Sequence, residues 1–83
     1  MKIVLAEGYI SDWELSQIYE EEGRFYYVVC ENGCSMPFWG RDADTLEELQ
    51  QSVLKNTSQL ALPLVEQLFE QARERLQGNT ISP

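Results

Sequence analysis

An α+β fold is predicted: an antiparallel three- to four-stranded meander with two helices, or one kinked helix, packed on one face. Three observations predict it. Residues 2–39 carry short β-branched and aromatic runs separated by turn residues. Residues 44–77 change to apolar spacings of three and four. The length of 83 residues, with 43% hydrophobic and 24% charged, fits one small soluble domain and leaves no room for a second. We take residues 1–83 as that domain, with a β meander over 2–39, a helical part over 44–77 and a frayed tail over 79–83.

The elements follow in order. Lys2–Glu7 is short and β-branched at Ile3 and Val4, and Gly8 to Asp12 reads as a connection. Trp13–Tyr19 is the next strand. Glu21-Glu22-Gly23 makes a turn into Arg24–Glu31, whose Phe25-Tyr26-Tyr27-Val28-Val29 core is the clearest strand of the chain. Asn32-Gly33 is the strongest short hairpin signal and predicts a type I′ turn, with Glu31 facing Cys34 and Cys30 facing Ser35. Cys34–Trp39 completes the meander, and Pro37, lacking an amide proton, puts it at a sheet edge. Thr45-Leu46-Glu47-Glu48 fits a capping box, with Asp44 or Thr45 as the cap. Leu46, Leu49, Val53 and Leu60 form the first helical stripe. Asn56-Thr57-Ser58 and Pro63 predict a break over residues 56–62. Val65, Leu68, Phe69, Ala72 and Leu76 form the second stripe, and Gly78 suits its end.

Loop length at Glu22-Gly23 decides which sheet face meets the helices. A two-residue loop sets Ser16, Ile18 and Glu20 beside Phe25, Tyr27 and Val29. A three-residue loop, with Gly23 in a bulge, sets Leu15, Gln17 and Tyr19 there instead. The second arrangement buries more apolar surface and is the expectation. The expected core face is then Trp13, Leu15, Tyr19, Phe25, Tyr27, Val29, Cys34, Met36 and Phe38, with Gln17 as its one polar member. The opposite face would carry Ile18, Tyr26, Val28, Cys30, Pro37 and Trp39, with no obvious element to cover it. The alternative is that the N-terminal strand or the tail folds over it.

Charge narrows the function. Residues 1–48 hold eleven acids against three bases, a net −8, while residues 49–83 hold three of each. Such a surface repels phosphate backbones, so direct nucleic-acid binding is not expected, whereas a basic protein would be drawn in. The longest apolar run, Leu60–Val65, is six residues, far short of a membrane span. Lys2 precedes only four apolar residues, too few for a secretory signal. Two cysteines are too few for a disulfide framework, and on the expected hairpin they point to opposite faces, which fits reduced thiols in a cytoplasmic protein. Histidine is absent, which excludes Ser-His and Cys-His nucleophile pairs within the chain. Glu31, Asp42 and Asp44 lie near strand and helix ends where Mg²⁺ ligands converge, yet a cap explains Asp44 and a loop explains Asp42. No catalytic residue, metal or cofactor is therefore expected.

From Trp13 to Lys55 the order is a strand, a Glu-Glu-Gly turn, Arg-Phe-Tyr-Tyr-Val-Val, Gly33-Cys34, a further strand, Gly40 and Asp44-Thr45-Leu46-Glu47-Glu48. This half of the chain resembles the HicB-like antitoxin domain. The resemblance implies a degenerate ribonuclease-H-like α+β domain that oligomerises and binds a small basic toxin ribonuclease. Arg41-Asp42-Ala43 separates Gly40 from Asp44, and the C-terminal part has no basic cluster of the kind a DNA-binding segment would carry.

The expected function is that of a small acidic protein-binding module, in its sharpest form a HicB-like antitoxin-type domain that neutralises a basic ribonuclease. Its expected contact residues are Ile18, Tyr26, Val28, Pro37 and Trp39 on the bare face, with Glu20, Glu21 and Glu22 as an acidic hairpin tip. Homo-oligomers are expected through the same face. The alternatives are a nucleic-acid mimic, with carboxylates imitating a phosphate array, and a plain structural homodimer.

Overall fold

The computed structural model describes residues 1–33 and 36–78. Four strands precede two helices: β1 (Lys2–Tyr9), β2 (Glu14–Glu21), β3 (Arg24–Glu31), β4 (Pro37–Ala43), α1 (Leu46–Lys55) and α2 (Leu62–Gly78). The strands form one antiparallel sheet in the order β1-β2-β3-β4, and both helices lie on one side of it. The α+β meander is thus present with four strands and two separate helices. The expected frayed tail and the faces of Cys34 and Ser35 lie outside the described residues.

The β2–β3 hairpin corrects the expected register. Glu22 and Gly23 both have positive φ, 52° and 84°, and Glu21 pairs directly with Arg24. This is the two-residue loop, whose left-handed backbone matches the twist of the flanking strands. Ser16 and Ile18 therefore share a face with Tyr27 and Val29, and Leu15 and Tyr19 go to the other side. Ile18 and Ser16 are fully buried. Apolar surface alone argued against this register because it sends a serine inward, but the Ser16 hydroxyl shares a 2.8 Å hydrogen bond with that of Tyr27. A paired buried hydroxyl removes most of that cost.

Irregularities at the two edge strands alter the rest. A bulge between Val4 and Ala6 lets β1 bury both Leu5 and Ala6. A shift opposite Val29 and Cys30 pairs Val29 with Trp39 and Cys30 with Pro37, in place of the pairing of Cys30 with residue 35 that the Asn-Gly turn predicts. Trp39 consequently turns to the helix side, where it meets Tyr27 edge-on at 5.9 Å. Trp13, Met36 and Phe38, expected in the core, are exposed: Trp13 and Met36 precede the strands proper, and Phe38 occupies the irregularity.

Thr45 caps α1, its Oγ1 accepting from the Glu48 amide at 3.1 Å. The helix buries Leu46, Leu49 and Val53. It ends at Asn56, and Thr57 Oγ1 donates to the Val53 carbonyl at 2.7 Å, closing the last turn. The break falls where expected, and Leu60, placed in the stripe by its spacing, is instead exposed within it. Pro63 sits in the first turn of α2, where no intrahelical donor is lost. From there Val65, Leu68, Phe69 and Ala72 enter the core, Leu76 staying largely exposed. Phe69 stacks on Tyr27, 5.9 Å between ring centroids, which ties the centre of α2 to the centre of the sheet.

Candidate functional site

Both helices pack on the Ile18, Tyr27 and Val29 side, so the other side of the sheet is open. Strand alternation and the observed pairing lay its residues out in rows. Lys2, Glu21 and Arg24 form a charged row at one end. Val4, Tyr19, Tyr26 and Asp42 form the next, followed by Glu7, Gln17, Val28 and Gly40. The last is Tyr9, Leu15, Cys30 and Pro37.

Aromatic packing sets the middle of this face. Tyr19 and Tyr26 stack with centroids 4.9 Å apart and planes 13° from parallel, and Lys2 Nζ lies 4.4 Å from the Tyr19 centroid. Such stacks add to the area they bury, and a cation over the ring adds more. Burial, then Glu21 and Tyr26, push the Tyr19 phenol above its ordinary value, so it stays protonated and able to donate. Leu15, Val28, Cys30 and Pro37 line a shallow depression of about 230 Å³. Gly40, lacking a side chain, leaves Val28 uncovered at the β4 edge. At the charged end, Arg24 bridges Asp42 at 2.8 Å and Asp44 at 2.5 Å. Farther along, Gln17 Nε2 donates to Glu7 at 3.1 Å.

The structure divides the expected contact residues. Tyr26, Val28 and Pro37 stand on the open face. Ile18 has no exposed surface and Trp39 packs against the core, so neither is available there; the two-residue turn moved the first and the β4 irregularity the second. Glu20 and Glu21 alternate to opposite faces, with Glu22 exposed in the turn, so the three carboxylates do not form one prong. The open face instead gains Leu15, Gln17, Tyr19, Lys2 and Arg24. The signal that finds them is the Glu22-Gly23 loop length, which sets the register of the whole hairpin.

A second concavity, about 250 Å³, lies at the end of the helix side, between Glu14, Tyr27, Phe38 and Trp39 of the sheet and Asn56, Thr57 and Ser58 of the helix connection. Burial raises the Tyr27 phenol, which the Ser16 hydrogen bond partly offsets and Glu14 reinforces. This hydroxyl is a structural donor or acceptor, not a base at neutral pH. Among the described residues no group of three or more His, Cys, Asp and Glu side chains is placed to hold a metal ion, and no helix is long and apolar enough to cross a membrane. Cys30 is a free thiol. Compared with known proteins, the chain matches no family model, no curated protein and no solved structure.

Proposed function

We propose that this chain is a small acidic protein-binding module whose contact surface is the helix-free face of its sheet. One observation carries the reading: Leu15, Tyr19, Tyr26 and Val28 stand side by side, half-buried, on the sheet face opposite both helices. Complete burial of such side chains is worth about 1.5–3 kcal/mol each, and these partly exposed neighbours leave a fraction of that for a partner to recover. Contiguous apolar patches of this kind mark interaction sites, and tyrosines are favoured at them. The net charge of −8 supports a basic partner, by steering the encounter.

In its sharpest form the reading is a HicB-like antitoxin-type domain that neutralises a small basic ribonuclease. It rests on the Trp13–Lys55 resemblance and on the charge. A nucleic-acid mimic would need an unbroken carboxylate array, and Arg24, bonded to both Asp42 and Asp44, weighs against it. The test is affinity capture from the source cells with the wild-type chain and with Val28→Glu, followed by an RNA-cleavage assay on the retained partner. A basic ribonuclease held and inhibited by the wild type, and released by Val28→Glu, is the expected result. Equal retention by both proteins, or no retained protein, rejects the assignment.

A further inference from the structure

We infer that the concavity at the end of the helix side binds an alkylated ammonium ion, with Phe38 and Trp39 as its aromatic walls and Glu14 and Glu31 as its counter-charge. This site lies across the sheet from the proposed protein contact and stands independently of it.

Strand pairing brings the charge together. Glu14 and Glu31 are direct partners across the β2–β3 ladder, two residues along from Ser16 and Val29, so both belong to the helix side. Cβ atoms opposed in this way are about 4.5–5.5 Å apart, and like charges there repel. One cation between the two carboxylates turns that repulsion into attraction. Ser11 Oγ donates to Glu14 Oε1 at 3.0 Å, which orients this carboxylate and leaves its second oxygen for a guest. The ion pairs found among the described residues both belong to Arg24, so neither glutamate has a basic partner there.

The walls suit the same ion. The concavity of about 250 Å³ adjoins another of about 390 Å³, the two sharing Glu14 and Phe38. Tyr27 is committed to Phe69, Trp39 and Ser16, which leaves Phe38, 56% exposed, and the partly buried Trp39 as the accessible rings. Ring faces attract cations, and the Arg41 guanidinium, 4.5 Å from the Trp39 centroid, already uses this indole in that way. Neither Arg41 nor any other basic residue lines the two concavities. The far wall is the C-terminal end of α1, the negative end of its dipole. There Asn56 Nδ2 and Thr57 Oγ1 turn donors back to the Ser52 and Val53 carbonyls.

These groups select the chemical class. They repel an anion. A bare Mg²⁺ or Ca²⁺ needs more oxygen ligands than two carboxylates supply, and the described residues hold no metal-binding group of three. A primary ammonium brings three N–H donors, which ring faces and the side chains of Ile10, Val29 and Ala61 cannot satisfy. An alkylated ammonium spreads its charge over methyl groups that pack against such walls, the form of cation that aromatic sites recognise best.

Titration with choline chloride into the millimolar range, followed by the amide and indole NMR signals of the chain, tests this. Saturable shifts are expected at the Trp39 indole and at the amides of Glu14, Phe38 and Asn56. The uncharged isostere 3,3-dimethyl-1-butanol is expected to bind at least about tenfold more weakly. Glu14→Gln and Glu31→Gln each weaken choline binding about threefold, and so does Phe38→Leu, which keeps an apolar side chain without the ring. Glu74→Gln, which removes an acid at the distant end of α2, leaves it unchanged and separates local from overall charge. Circular dichroism confirms folding, and the exposed Glu31 keeps the test decisive where Glu14→Gln does not fold. The inference is overturned by any of three results: no saturable shift with choline, equal binding of the alcohol, or wild-type affinity in the folded Glu31→Gln and Phe38→Leu variants.

Discussion

The two faces of the sheet are built from the same strands and differ by one residue of phase. On the covered side Ile18, Tyr27 and Val29 meet Leu49, Val53, Val65 and Phe69 and lose essentially all solvent contact. On the open side Leu15, Tyr19, Tyr26 and Val28 are largely apolar too, yet remain partly exposed. The difference lies in the polar residues. The covered face holds one in its interior, Ser16, fully satisfied by Tyr27. The open face is edged with Lys2, Glu7, Glu21, Arg24 and Asp42, whose charges a helix could not cover without desolvating them. Polar edging, more than apolar content, marks the face that stays in contact with water.

The largest expected effect separates the faces directly. Ile18→Glu places an unpaired carboxylate in the core and removes the packing around it, a loss of about 3–5 kcal/mol. A chain of this size sits near the low end of the usual 5–15 kcal/mol of stability, so the variant is expected to be largely unfolded by circular dichroism. Leu15→Glu, three residues earlier on the other face, is expected to remain folded, with a urea midpoint close to the wild type. The reverse pattern would restore the three-residue loop and its opposite register.

That pair of residues also shows what could be read in advance. The strand Arg24–Glu31 and the break between the helices follow from local chemistry: aromatic and β-branched density in one case, Asn56-Thr57-Ser58 and Pro63 in the other. The phase of β2 does not, because both of its faces are apolar and one extra loop residue interchanges them. The deciding choice at Glu22 is between left-handed and right-handed backbone, a matter of about 1–2 kcal/mol for a non-glycine residue. Counting buried apolar side chains favoured the wrong side of that choice, since it scored Ser16 as a penalty and could not see its bond to Tyr27. Trp39 was misplaced for a related reason: an irregularity in an edge strand leaves little trace in composition. The open face therefore kept Tyr26, Val28 and Pro37, which belong to β3 or pair with it, and lost Ile18 and Trp39.

The Ser16–Tyr27 pair offers a sharper probe of the covered side. Tyr27→Phe keeps the stacking on Phe69 but leaves the Ser16 hydroxyl buried without its partner, at about 1–3 kcal/mol. Adding Ser16→Ala removes the stranded group, and the double variant is expected to recover most of the loss in urea denaturation. If the double variant is no better than the single one, the hydroxyl pair is not what sets the phase of β2.

Alkaline pH reads the same group. Burial holds the folded-state Tyr27 phenol above its ordinary value of 10.0. Its contribution is therefore fully present below that value and is lost as pH rises through the folded one, because the unfolded chain gives up the proton first. Stability is expected to fall above about pH 10, and Tyr27→Phe to make that fall shallower. Tyr19, raised by burial, Glu21 and Tyr26, acts in the same direction from the open face with less burial behind it. An alkaline limb that Tyr27→Phe leaves unchanged would reassign it to other groups.

A smaller loss is expected at the helix cap that positions α1 over the sheet. Thr45→Ala removes the acceptor for the Glu48 amide and is expected to cost about 1 kcal/mol, with Thr45→Ser restoring most of it.

The smallest effect on folding belongs to Arg24→Gln, although Arg24 makes the most ion pairs of any described residue. Its side chain is 43% exposed and that of Asp42 51%, so water and salt screen the bridges, and the ordering of a long side chain offsets much of what remains. The urea midpoint is expected to stay near the wild type and to become indistinguishable from it at high salt. If the midpoint instead drops as far as it does for a core substitution, the charged row is a structural clamp between β3 and the start of α1. If it holds while the other properties of the open face change, Arg24 serves contacts made outside the chain, and the two faces have divided the work: burial keeps one folded, and charge keeps the other ready to be recognised.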